Sequence, residues 1–273
     1  MKKFEGILIC TDLDGTLLSS DDTVSKENLD AVEYFKSEGG IFTFITGRMP
    51  FFATSIYNLI KPNAPFGCIN GGGLYDPTEK KYLWAQELPA EAIDLVEYAD
   101  KSIDGIGIQI NTFEKVYFCR ENSAMERFRR ITGSPNITCH YREVTEPIGK
   151  VVFGDENEES IDRLKELLNS HPMADRFDFI RSEKTLYEIL PKNINKGSVL
   201  PKLAEHMHIS MDRTVTIGDY NNDVGMLRAA KVGVAVANAT AEAKKAADYI
   251  TVSNDEHAIA RVISDIENGI LKI

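Results

Sequence analysis

Two aspartates one residue apart, Asp12 and Asp14, close the apolar run Ile7-Leu8-Ile9-Cys10 and are followed by Gly15-Thr16. In an extended chain, side chains at i and i+2 share a face, so both carboxylates leave the strand in one direction. Held that close, they repel unless a cation or a shared proton relieves them. Other polar clusters occupy equivalent places. Thr46-Gly47-Arg48 follows the run Ile41 to Ile45 and offers a hydroxyl and backbone N–H groups to an anion. Asn195-Lys196-Gly197 opens a helical pattern, and a lysine at a helix N-terminus suits a phosphate. Gly218-Asp219 ends the run Thr214 to Ile217, and Asn221-Asn222-Asp223 starts the helix beyond it. Asp219 and Asp223 come close if the chain turns into that helix. Four carboxylates converging on one crevice call for a hard cation, and oxygen donors that leave room for water suit Mg²⁺. An EF-hand is excluded, because the D-x-D-x-D-G spacing and the closing Glu are missing.

The elements that must position these groups follow a strand–helix rhythm. Ser25 caps a helix with Leu29, Val32 and Phe35 on one face, stopped by Gly39-Gly40. Strands at residues 41–45 and 66–69 flank a helix carrying Phe52, Ile56, Leu59 and Ile60. Asn70-Gly71-Gly72-Gly73 then reads as a hinge or close-approach turn. Apolar strands alternating with helices predict a doubly wound, Rossmann-like parallel sheet, covered on both faces. Near Trp84 the rhythm changes. Strand-like runs at 105–110, 116–119, 151–153, 177–180 and 186–189 outnumber the helices near 89–99, 125–131 and 161–168. This predicts an inserted α+β domain at residues 84–190 with a largely antiparallel sheet, inside a core made of 1–83 and 191–273. From Lys196 the first rhythm resumes, with strands at 214–217, 232–236 and 249–252.

Together the four clusters resemble, in order and context, the four motifs of the haloacid dehalogenase superfamily, and the insertion resembles the cap of its Cof-type sugar-phosphatase branch. The resemblance implies a Mg²⁺-dependent phosphatase of small phosphorylated metabolites, sugar phosphates foremost. Asp12 would be the nucleophile, forming an aspartyl-phosphate. Asp14 would protonate the leaving alcohol and then activate water. Mg²⁺ would be held by Asp12, Asp219 and the backbone carbonyl of Asp14, with Asp223 supporting that shell. Thr46, Gly47, Arg48, Lys196 and Asn222 would hold the phosphate and substrate. A phosphomutase passing the same phosphoryl group back to a sugar is the alternative enzyme, and a metabolite-binding sensor the non-catalytic one. The nucleophile and acid together argue against the sensor.

Composition narrows the classes further. A net charge of −11 on 273 residues argues against a nucleic-acid surface and requires a locally positive site for any anionic substrate. No apolar run reaches membrane-spanning length, and Glu5 and Asp12 leave no apolar segment for a leader after Met1-Lys2-Lys3. Cys10, Cys68, Cys119 and Cys139 form no C-x-x-C pair. Reduced thiols in a soluble cytoplasmic protein are the expectation. Arg127, Arg129 and Arg130 read as a solvated helix face.

Overall fold

The computed structural model describes residues 2–273. In chain order, β1 (Leu8–Thr11), α1 (Lys26–Ser37), β2 (Ile41–Phe44) and α2 (Pro50–Ile60) come first. A short meander follows: β3 (Phe66–Cys68), β4 (Gly73–Asp76) and β5 (Lys81–Ala85). Next are α3 (Ala92–Ser102), β6 (Gly107–Thr112), β7 (Val116–Arg120), α4 (Ser123–Thr132), β8 (Ile148–Gly154), α5 (Glu158–Asn169), β9 (Phe177–Glu183) and β10 (Leu186–Pro191). The chain ends with α6 (Lys196–His206), β11 (Thr214–Gly218), α7 (Val224–Ala229), β12 (Val232–Ala235), α8 (Ala241–Ala246), β13 (Tyr249–Ile250) and α9 (Ala258–Glu267). These elements divide into two compact units, one running through Trp84 and resuming at Asn195, the other Ala85–Ile194.

The first unit is built on a parallel sheet of order β13-β12-β11-β1-β2. Its strands are short and apolar because both faces are covered, which is the pattern of a doubly wound sheet. On one face Leu8, Cys10 and Ile45 pack with Val199, Leu200 and Leu203 of α6 and Met226 of α7. α1 packs against α9; its start is fixed by the Ser25 side chain, which accepts the Asn28 N–H at 3.2 Å.

One expectation is revised. The strand at 66–69 does not extend the parallel sheet as a full member. A single parallel bridge, Ile45 to Gly67, ties it to β2, and its ladder partner is the antiparallel β4. Two strands of this meander escape sequence periodicity because they are only 4 and 5 residues long. Asp76 Oδ1 accepts the N–H groups of Thr78 and Glu79 at 2.8 and 3.2 Å, an Asx turn that reverses the chain.

The second unit is an antiparallel sheet of order β7-β6-β8-β10-β9. Alternate residues, including Ile108, Ile110, Val151, Phe153, Tyr187 and Ile189, form its core with Leu95 and Val96 of α3 and Ile161, Leu164 and Leu168 of α5. No helix among the described residues is long and apolar enough to cross a membrane. All four cysteines are reduced thiols, with Cys10 and Cys68 buried.

Candidate active site

The parallel register decides which residues meet. Because β1 lies between β11 and β2, three strands end side by side. The Asp12 N–H donates to Ile217 O at 2.8 Å and the Ile45 N–H to Thr11 O at 2.9 Å. Asp12, Asp219 and Thr46 are therefore carried to adjacent strand ends, the place where open α/β sheets bind ligands.

After Asp12 the chain makes one wide turn, closed by the Leu18 N–H donating to Leu13 O at 2.9 Å. Gly15 sits in it at φ +75°, and a Cβ there would stand 2.7 Å from Asp219 Oδ2. Glycine is needed at this point both for the left-handed backbone and for the approach of the Asp219 carboxylate. Thr16 Oγ1 donates to Asp219 Oδ1 at 2.8 Å, and Asn238 Nδ2 donates to Gly15 O at 2.8 Å.

Lys196 is the first residue of α6, set there by Asn195, whose side chain accepts the Gly197 N–H at 2.8 Å. Its side chain is buried, and its Nζ donates to Asp12 Oδ1 and Asp223 Oδ1, each at 2.6 Å. The other Asp223 oxygen accepts the N–H groups of Asp219 and Tyr220, both at 2.9 Å. Asp223 thus holds both the lysine and the loop bearing Asp219. Carboxylate oxygens of Asp12, Asp219 and Asp223 all lie within 4.8 Å of one another.

Such crowding shows in proton affinities. Burial, then the Asp223 charge, raises the Asp12 carboxyl well above the usual range, against the pull of Lys196. Burial pushes Asp219 up to about 7, with Asp223 adding to it and Thr16 opposing. Burial alone would depress Lys196, yet Asp12 and Asp223 hold its amine above its ordinary value. One buried ammonium faces three carboxylates, so the cluster is short of positive charge. An all-oxygen donor set of this kind fits a hard divalent cation.

The remaining predicted residues fall into two groups. Asp14 stays outside the buried cluster, its carboxylate gripped by Arg48: Nε donates to Oδ2 at 3.0 Å, and Nη2 meets Oδ1. Thr46, Gly47 and Asn222 gather around Asn70. Thr46 Oγ1 accepts the Arg48 N–H at 3.2 Å, and Asn222 Nδ2 donates to Asn70 Oδ1 at 3.1 Å. Sequence reasoning placed Asn70 in a close-approach turn without giving it a role, and missed Thr16 and Asn238 as parts of this constellation. Thr16 was legible as a neighbour of the aspartates, whereas the Asn238 contact depends on tertiary closure across 223 positions.

A parallel α/β sheet thus brings three aspartates and a lysine together at its strand ends. The chain belongs to the haloacid dehalogenase-like hydrolase family, whose sequence pattern matches residues 9–263. Among similar proteins, YxeH of Bacillus subtilis (strain 168) is 30% identical over 271 residues, spanning 95% of this chain and 97% of the relative. The 5-amino-6-(5-phospho-D-ribitylamino)uracil phosphatase YitU of the same organism is 26% identical over 263 residues, covering 94% and 96%. Among solved structures, TM0651 from Thermotoga maritima is 26% identical with a TM-score of 0.78, covering 94% of this chain and 96% of that one.

Proposed function

We propose that this protein is a Mg²⁺-dependent phosphatase that hydrolyses small phosphorylated metabolites, sugar phosphates foremost, through an aspartyl-phosphate on Asp12. The observation that carries the reading is the buried Lys196 ammonium between Asp12 and Asp223, with Asp219 alongside. A sensor needs neither a buried nucleophile nor an acid beside it. The YitU relative is named for a phosphorylated ribityl compound, a small polyol phosphate of the class proposed here.

In this reading a phosphate monoester enters with its phosphorus in line with a carboxylate oxygen of Asp12. Lys196, the Thr46 hydroxyl, N–H groups of the Gly47 turn, Arg48 and the Asn222 amide hold its phosphoryl oxygens. The carboxylates of Asp12 and Asp219 and the backbone carbonyl of Asp14 would hold Mg²⁺. Bound there, the ion neutralises phosphoryl charge. Asp12 attacks phosphorus, the ester bond breaks, and Asp14 gives its proton to the departing alkoxide. Asp14, now ionised, takes a proton from the water that attacks the phosphoenzyme, releasing phosphate and restoring Asp12. Asp223 keeps Lys196 and the Asp219 loop in place. Residues 84–190 are proposed to act as a cap that selects the rest of the substrate.

A panel of phosphorylated metabolites, scored for inorganic phosphate with Mg²⁺ and with excess chelator, tests this. Sugar or polyol phosphates should be hydrolysed only with the metal. Isomerised sugar phosphate without released phosphate, or full turnover in chelator, contradicts it.

A further inference from the structure

The backbone between β3 and β4 is unusual where it meets the site. Ile69, Asn70 and Gly71 have φ of +54°, +51° and +90° in succession. Left-handed backbone is natural for glycine and tolerated by asparagine, but a β-branched residue there is a true outlier. Strain of this kind persists only where the surroundings fix it, and it gathers at functional sites.

The turn is tied to several parts of the constellation. The N–H groups of Ile69 and Asn70 donate to the carbonyls of Arg48 and Thr46, each at 3.1 Å. A Cβ on Gly71 would stand 1.9 Å from the carbonyl oxygen of Asn195, the residue that caps the Lys196 helix. Asn70 itself is fully buried, and its Oδ1 accepts from Asn222 Nδ2 at 3.1 Å. Asn222 Oδ1 is buried and has no hydrogen-bond partner. An orphaned buried acceptor is costly, so the site is under-satisfied as it stands.

Glycine would satisfy the backbone at position 70 at least as well as asparagine. The side chain, not the backbone conformation, is what asparagine adds at this position. We infer that Asn70 is a positioning residue for the phosphoryl site: its side chain fixes the Asn222 amide, leaving the second Nδ2 hydrogen of Asn222 to donate to a phosphoryl oxygen and the unpartnered Oδ1 to accept from a hydroxyl of the incoming ligand. This rests on the phosphatase reading, since the amide it orients is assigned there to the phosphoryl group.

A double-mutant cycle tests it, with kcat/KM measured on the best substrate of the panel for the wild type, Asn70→Gly, Asn222→Ala and the double variant. If Asn70 acts through Asn222, Asn70→Gly should lose about tenfold or more, and the double variant should match Asn222→Ala rather than lose the product of both. Retention of activity by Asn70→Gly, or multiplied losses, would overturn the inference. NMR of the Asn222 side-chain amide in the wild-type protein supplies a readout independent of turnover and of the variants' folding. One Nδ2 proton should exchange slowly with solvent, and fast exchange of both contradicts the assignment. A wild type that turns over no phosphate ester fails the phosphatase reading, while the amide measurement still decides the hydrogen bond.

Discussion

Arg48 reaches from its own turn to Asp14 and meets that carboxylate with two nitrogens. A planar guanidinium matched to both carboxylate oxygens fixes orientation as well as charge, which an ammonium cannot do. The side chain of Arg48 is 28% exposed and that of Asp14 54% exposed, so the pair sits at the open edge of the site.

A carboxyl that gives up a proton cannot accept from the guanidinium with both oxygens, so Arg48 must release one of them in the acid step; if the remaining bond aims the acid, Arg48→Lys should impair substrates with poor leaving groups most. General acid help is worth roughly 10²–10⁴-fold, so an alkyl phosphate should lose up to that order in phosphoenzyme formation. A nitrophenyl phosphate, whose leaving group needs little protonation, should lose far less. Single-turnover quench-flow on the two substrates separates the cases. An equal loss for both would place Arg48 on the phosphoryl group alone.

Lys196→Met removes the ammonium shared by Asp12 and Asp223. Loss of one phosphoryl-stabilising donor costs about 10²–10³-fold in kcat. Leaving buried carboxylates without their cation also destabilises, by about 3–5 kcal/mol. Protonation relieves that repulsion, so the variant's thermal midpoint should fall more at pH 8 than at pH 5. Equal destabilisation at both pH values would show that the lysine is held there for packing rather than charge.

Asp219 gives the metal-free protein an unusual pH dependence. Its folded value of about 7 lies above the ordinary carboxyl range that it regains on unfolding. Between the two values the folded state holds a proton that the unfolded chain has released. The stabilising contribution is complete below the unfolded value and is lost as pH rises through about 7. Asp12, raised for similar reasons, acts in the same direction. Half-buried carboxylates lowered by their partners, such as Glu97 and Glu146 at about 2, lose their contribution only in acid, outside this window. In chelator, the thermal midpoint should fall between pH 6 and pH 8 by on the order of 5 °C. Mg²⁺ should remove most of that fall. A midpoint that rises over this interval in chelator contradicts the electrostatics described for the cluster.

The site was more legible than the ground between its parts. Asp12, Asp219 and Thr46 follow apolar runs, so strand ends announce them, and the parallel register then brings them together. Lys196 could be placed because Asn195 is a recognisable cap. The grip of Arg48 on Asp14 was not readable, since it depends on rotamers across 34 positions. Nor was the meander after β3, whose strands β4 and β5 are only 4 and 5 residues long and which turns at a left-handed Ile69. Glycine-rich sequence at 71–73 marked a close approach, but not the residue before it as the one that bridges.

The central claim is that Asp12 carries the phosphoryl group, and trapping that intermediate tests it most directly. The Asp14→Asn variant should form the phosphoenzyme from a nitrophenyl phosphate and hydrolyse it slowly, because its water-activating base is gone. Rapid acid quenching followed by peptide mass spectrometry should then find one phosphoryl group, on the peptide containing Asp12 and on that residue. The Asp12→Asn variant should show none and release no phosphate. Phosphate release without any phosphorylated aspartate, or a phosphoryl group on another residue, would contradict the account.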